Sequence, residues 1–214
     1  MKTPADRCRE FRQLHESGWF VIPNPWDVGS ARVLAQFGFP ALATTSSGFA
    51  WSLGRSDNRV TLDEALAHFR SVAESVDIPL NGDFEGGFAI EPRAVGANVA
   101  RATTTGVAGL SIEDSTYAEA GADCLYAPGI RTTQDIAAVV SAVSPKPVNV
   151  LVGGDFTTVA ALADAGVRRI SVGGALARTA WTGFLHAARE IAERGTFGSL
   201  TGAVPFDEVN GLFD

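Results

Sequence analysis

The sequence predicts an α/β protein built on a parallel sheet. Short apolar, β-rich runs alternate with stretches of helical period along the whole chain. Strand-like runs are separated by helices, the connection that parallel strands require. Acidic and glycine-rich clusters fall where the strand-like runs end, the side on which parallel α/β proteins hold their ligands.

Taken in order, a helix over residues 5–16 precedes a strand at 19–23. A helix at 29–36 closes at Gly38, and the next strand, 41–45, runs into Thr44-Thr45-Ser46-Ser47-Gly48-Phe49. Hydroxyls and a glycine placed there offer O–H and N–H donors to an anion, or form ordinary turns. Thr61 caps a helix at 62–75, with Glu64 three residues on completing a capping box. A strand at 78–83, a helix at 92–104 closed by Gly106, and a strand at 109–113 follow. Beyond them come strand 122–127, helix 134–143, strand 148–152, helix 157–165, strand 169–172 and helix 175–193. Gly121, Gly166 and Gly195 also sit where helices should end. Phe11, Trp19, Phe37 and Phe69 are expected in the core, and Trp26 and Trp51, each following a strand, in a pocket wall.

A chain of 214 residues fits one domain, residues 1–214, with a substantial core. Its 46% hydrophobic and 19% charged content is that of a globular protein. A net charge of −7 argues against nucleic-acid binding, which needs a basic face. Cys8 and Cys124 lie far apart and outside any paired-cysteine motif, so neither a disulfide framework nor a zinc site is expected. No apolar run approaches the roughly 18 residues that span a bilayer. The N-terminus is polar, so a cytoplasmic location without membrane attachment is expected.

Chemistry concentrates in two acidic clusters. Asp83 and Glu85 follow one strand, and Glu113-Asp114 follows the next. Two residues apart on a continuing strand, Asp83 and Glu85 would face the same side. Of the second pair, Glu113 is expected to point inward. Carboxylates converging in this way repel one another unless a cation neutralises them, and hard oxygen ligands suit Mg²⁺ or Mn²⁺. Gly173-Gly174, opening the longest helix, reads either as an anion-binding N–H pair or as close helix–strand packing. His15, His68 and His186 all fall on helices, as surface or packing residues rather than bases.

These motifs together resemble the isocitrate lyase/phosphoenolpyruvate mutase superfamily. The resemblance rests on residues 24–32, the Thr-Ser-Ser-Gly loop, Asp83-Phe84-Glu85, residues 109–115, Ala120-Gly121-Ala122-Asp123 and residues 170–178. It implies a (β/α)₈ TIM barrel whose last helix is swapped in a dimer, usually within a homotetramer. It further implies a Mg²⁺-dependent lyase or decarboxylase that cleaves a C–C bond of a small α-oxo or 2-hydroxy acid through a metal-stabilised enolate. A mutase acting on P–C bonds, or an inactive small-acid binder, are the alternatives. By the resemblance Asp83, Glu85 and Glu113 hold the metal, partly through waters. Ser47, Gly48 and Phe49, with Trp26 nearby, bind the substrate, and Asp57 and Glu113 act in catalysis.

The sequence departs from the family in one place. The Lys-Lys-Cys-Gly-His loop, the fifth-strand arginine and the gating-loop asparagine are all without counterparts between Asp114 and Ala122. Seven residues there must return from one strand end to the next strand start. Fully extended they reach at most about 25 Å, barely the roughly 17–20 Å length of a strand plus its turns. About one βα unit is therefore expected to be missing between residues 114 and 122. Self-association is expected through the helix at 175–193 and its apolar tail.

Overall fold

The computed structural model describes residues 2–113 and 121–213. All seven expected strands are present: β1 (Phe20–Ile22), β2 (Leu42–Ala43), β3 (Leu80–Asp83), β4 (Gly109–Ser111), β5 (Leu125–Tyr126), β6 (Val148–Leu151) and β7 (Arg169–Ser171). Every strand pair is parallel, in the orders β1-β7-β6-β5 and β2-β3-β4. The two sheets join where the Ala43 N–H donates to Pro23 O at 3.1 Å. The strands thus follow one another as 4-3-2-1-7-6-5, the order of a β/α barrel. Among the described residues β4 pairs only with β3 and β5 only with β6. The expected missing unit falls on residues 114–120 and lies outside the described ones.

The helices are α1 (Pro4–Leu14), α2 (Val28–Gln36), α3 (Ser46–Ser52), α4 (Leu62–Ser75), α5 (Pro92–Ala102), α6 (Thr133–Val143), α7 (Val159–Asp164), α8 (Ala175–Arg194) and α9 (Phe206–Gly211). Local chemistry explains their starts. Thr3, Asp27 and Thr61 each form a reciprocal capping box at the N-termini of α1, α2 and α4. Thr45, Thr132 and Thr158 cap α3, α6 and α7 with a side-chain oxygen.

Alternation along the strands divides the apolar residues into layers. Leu42 and Leu80 face Leu34 of α2 and Phe69 and Val72 of α4. Val148, Val150 and Ile170 face Ile136 of α6 and Leu162 of α7. A third cluster sets Phe11 of α1 against Phe20, Ile22 and Ala43, so α1 closes the end of the barrel where the strands begin.

Three expectations need correction. Trp19 and Phe37 are 51% and 67% exposed, because they flank their strand and helix instead of lying within the buried stripe. The Thr-Ser-Ser-Gly segment is not a loop: Thr45 accepts from the Gly48 N–H and starts α3. Glu85 does not continue β3; the strand ends at Asp83, and Glu85 has a left-handed backbone with φ +46°.

Candidate active site

The acidic residues come from adjacent strand ends, and the backbone fixes their proximity. Pairing of β3 with β4 continues past both strands: the Phe84 N–H donates to Ser111 O at 2.8 Å, and the Glu113 N–H donates to Glu85 O at 2.7 Å. Glu85 and Glu113 are therefore backbone neighbours. Asp83 is held more tightly than either. Its Oδ2 accepts from the Ser46 N–H at 2.7 Å, its Oδ1 from the Glu85 N–H at 3.3 Å, and its own N–H donates to Thr44 Oγ1 at 2.8 Å. The Asp83 carboxylate thus sits at the first turn of α3, where a helix favours negative charge.

Asp57 lies exposed on the loop before α4, and its charge reaches Asp83, Glu85 and Glu113 alike. Burial pushes the Asp83 carboxyl upward, against the pull of its Ser46 and Glu85 hydrogen bonds. Burial followed by the charges of Asp83, Asp57 and Glu113 pushes Glu85 up to about 7. Glu113 is raised by burial, then by Asp83 and Asp57. Among the described residues no positive side chain offsets Glu85 or Glu113. Among the described residues no three His, Cys, Asp or Glu side chains are assembled to ligate one ion directly. An all-oxygen set with uncompensated charge fits a hard divalent cation reached partly through water.

The substrate-side candidates form a second wall. Ser47, Gly48 and Phe49 lie in the first turn of α3, against Trp26 and the start of α8. A Cβ on Gly48 would come within 2.7 Å of Thr45 Cγ2 and 2.8 Å of Trp26 Cβ, so only glycine lets these elements approach. Trp26, half-buried, packs on this turn. Phe49 stacks flat on His68 of α4, with ring centroids 3.9 Å apart. His68 is thus a packing residue, as its place on a helix suggests, yet its buried Nε2 has no partner.

Asn24 was not singled out by the sequence. Its Oδ1 accepts from the N–H groups of Val172 and Gly173 at 2.9 and 2.8 Å, and its Nδ2 donates to Thr44 O at 3.1 Å. This buried amide ties the ends of β7 and β2 together across β1. The Gly173 N–H is already engaged, and Gly174 abuts Ser47 so closely that a Cβ would meet its Oγ at 2.8 Å. Close packing is what Gly173-Gly174 provides. An asparagine directly after a strand was the available signal, but its partners are remote in sequence.

Acids thus gather at the carboxyl ends of β3 and β4, with Asp83 bound to the first turn of α3, the side of a parallel α/β fold on which ligands are held. A family model described as phosphoenolpyruvate phosphomutase matches residues 11–116 and 115–192. A provisionally named lyase/mutase of Burkholderia cenocepacia J2315 is 37% identical, with a TM-score of 0.93 over 98% of this chain and 97% of that one. Oxaloacetate acetylhydrolase, solved with its product oxalate, is 21% identical with a TM-score of 0.81, covering 99% of this chain and 95% of its own. The uncharacterized protein MT2054 of Mycobacterium tuberculosis (strain CDC 1551 / Oshkosh) is 28% identical over 251 aligned positions, spanning 93% of this chain and 94% of that protein. The chain belongs to the phosphoenolpyruvate mutase/isocitrate lyase superfamily, and its fold is of the TIM-barrel type. The family match breaks into two stretches that meet at residues 115–116, where the sequence departs from the family pattern.

Proposed function

We propose that the protein is a Mg²⁺-dependent lyase that cleaves a C–C bond of a small 2-oxo or 2-hydroxy carboxylic acid. The observation that supports this reading is that Glu85 and Glu113 are backbone neighbours at the ends of β3 and β4 beside Asp83, with no basic side chain among the described residues to balance Glu85 or Glu113. Asp83, Glu85 and Glu113 would hold the cation, partly through waters. A divalent cation there supplies a Lewis acid that lowers the cost of negative charge developing on the substrate's oxo oxygen.

The chain's own residues divide the remaining work. Ser46 fixes Asp83 through its N–H, so the carboxylate needs no reorganisation when charge develops nearby. Ser47, on the first turn of α3, would offer its hydroxyl to the substrate carboxylate, with Gly48 and Phe49 packed behind it and Trp26 as a wall. Asp57, on an exposed loop, is placed to take or return a proton at the mouth of the site. Burial, then the neighbouring acids, raise Glu85 and Glu113, and a bound cation would offset that cost of holding them ionised.

A P–C bond mutase is the second reading, favoured by the matched family model, which is described as a phosphomutase. We also propose a homodimer or homotetramer joined through α8 and the tail, and a cytoplasmic location. Among the described residues no helix is long and apolar enough to cross a membrane. Turnover of oxaloacetate, 2-methylisocitrate and phosphonopyruvate with and without Mg²⁺ tests these readings. Consumption of a C–C substrate only with Mg²⁺ supports the lyase, and consumption of phosphonopyruvate alone supports the mutase. No turnover of any of them leaves an inactive small-acid binder.

A further inference from the structure

Strand β5 comprises only Leu125 and Tyr126, and its register fixes where each side chain points. Leu125 pairs with Val148 and Tyr126 with Asn149. Val148 packs against Ile136 of α6 and Leu162 of α7, so that face of the sheet meets the helices. Asn149 turns the other way. Its Oδ1 accepts from Arg169 Nε at 3.0 Å, and its Nδ2 donates to Ser171 Oγ at 3.0 Å. Register neighbours in a parallel sheet share a face. Tyr126 therefore projects into the barrel beside Asn149 and Arg169, half-buried, at the carboxyl end of its strand.

The charges acting on its hydroxyl locate it further. Glu113 and Asp83, at the ends of β4 and β3 on the other side of the opening that β5 borders, both reach it, and so does Arg169 from β7. Tyr126 thus looks across the mouth toward the acid cluster.

We propose that Tyr126 contacts the substrate, its O–H donating a hydrogen bond to an anionic oxygen of the bound 2-oxo or 2-hydroxy acid on the side away from the acids. The role rests on the reading given under Proposed function and adds a residue to it. Burial, then Glu113 and Asp83, push the phenol up to about 12, so the proton stays on the oxygen throughout the neutral range. A neutral donor suits this position: it binds an anion without competing for the acids' cation, and no proton has to leave it.

The test uses calorimetry on the full chain and Tyr126→Phe, which removes one oxygen and keeps the ring. Mg²⁺ is titrated first, then oxalate at saturating Mg²⁺. The proposal predicts unchanged melting temperature and Mg²⁺ affinity, with oxalate bound roughly 10- to 100-fold more weakly by the variant, the worth of one hydrogen bond to a charged group. On whichever substrate turns over, kcat/KM should fall by a similar factor. Equal oxalate affinity in the two proteins overturns the proposal, and so does a wild-type chain that binds no oxalate with Mg²⁺ present. A chain that binds oxalate through Tyr126 yet turns over none of the panel sinks the lyase reading and leaves this contact standing.

Discussion

Glu85 shows how the site stores electrostatic strain. Its folded carboxyl is raised to about 7, above the unfolded value near 4.5. Between those values the folded state binds more protons than the unfolded one, so the stability of the metal-free protein falls as pH rises from about 4.5 through 7. Glu85→Gln removes that contribution. Thermal melts in chelator should show the variant gaining on wild type as pH goes from 5 to 8, and Mg²⁺ should shrink the gap. A pH-independent difference would contradict the assignment. His68 works in the opposite direction. Burial holds it at about 4 against 6.5 unfolded, so its contribution is present above about 6.5 and lost as pH falls toward 4. His68→Phe, which preserves the stack on Phe49, should flatten the acid side of the same melting profile. Gly48→Ala places a methyl group 2.7–2.8 Å from Thr45 and Trp26 and should cost about 1–3 kcal/mol in denaturant unfolding.

At the scale of elements, the seam between the two sheets depends on Asn24. Asn24→Ala leaves the N–H groups of Val172 and Gly173 and the Thr44 carbonyl without their partner. Buried unsatisfied groups cost about 1–3 kcal/mol each, so a loss of several kcal/mol is expected by urea unfolding, and a loss under about 1 kcal/mol would contradict the role. The seven strands and the longer helices were legible in the sequence because their period and punctuation are local, as in the Thr61–Glu64 capping box. What was not legible needed tertiary context. α3 is only seven residues long and begins in a hydroxyl-rich run that reads equally as a turn. Trp19 and Phe37 are large and apolar, but sequence does not reveal that they flank the buried stripe. That Asp83, Glu85 and Glu113 lie at the ends of neighbouring strands was legible from the strand pattern alone. The turn that gives Glu85 its left-handed backbone, and the tie made by Asn24, were not.

Across the whole molecule, the C-terminal region stands apart from the barrel core. Phe184 of α8 is 60% exposed, and Phe197 and Phe206 beyond it are 63% and 77% exposed. Glu190 clasps the turn after α8, its carboxylate accepting from the Gly198 and Ser199 N–H groups and the Thr196 hydroxyl. The tail then returns to α2, where Arg32 Nη2 and Gln36 Nε2 donate to Phe213 O and Leu212 O, each at 2.8 Å. An apolar surface of this extent on an ordered segment calls for a partner, and a second copy covering it is expected. Light scattering should give at least a dimer at micromolar concentration, and Phe184→Glu should shift it toward monomer; a strictly monomeric wild type would contradict the expectation.

We propose that the acids at the ends of β3 and β4 bind a divalent cation for cleavage of a small 2-oxo or 2-hydroxy acid. The most direct measurement is the metal dependence of turnover on oxaloacetate and 2-methylisocitrate, for wild type and Asp83→Ala side by side. Turnover that chelation abolishes and Mg²⁺ restores is expected, lowered by at least about 100-fold in a folded Asp83→Ala protein, the scale of losing one element of charge stabilisation. Turnover that survives chelation, or that Asp83→Ala leaves intact, would contradict it.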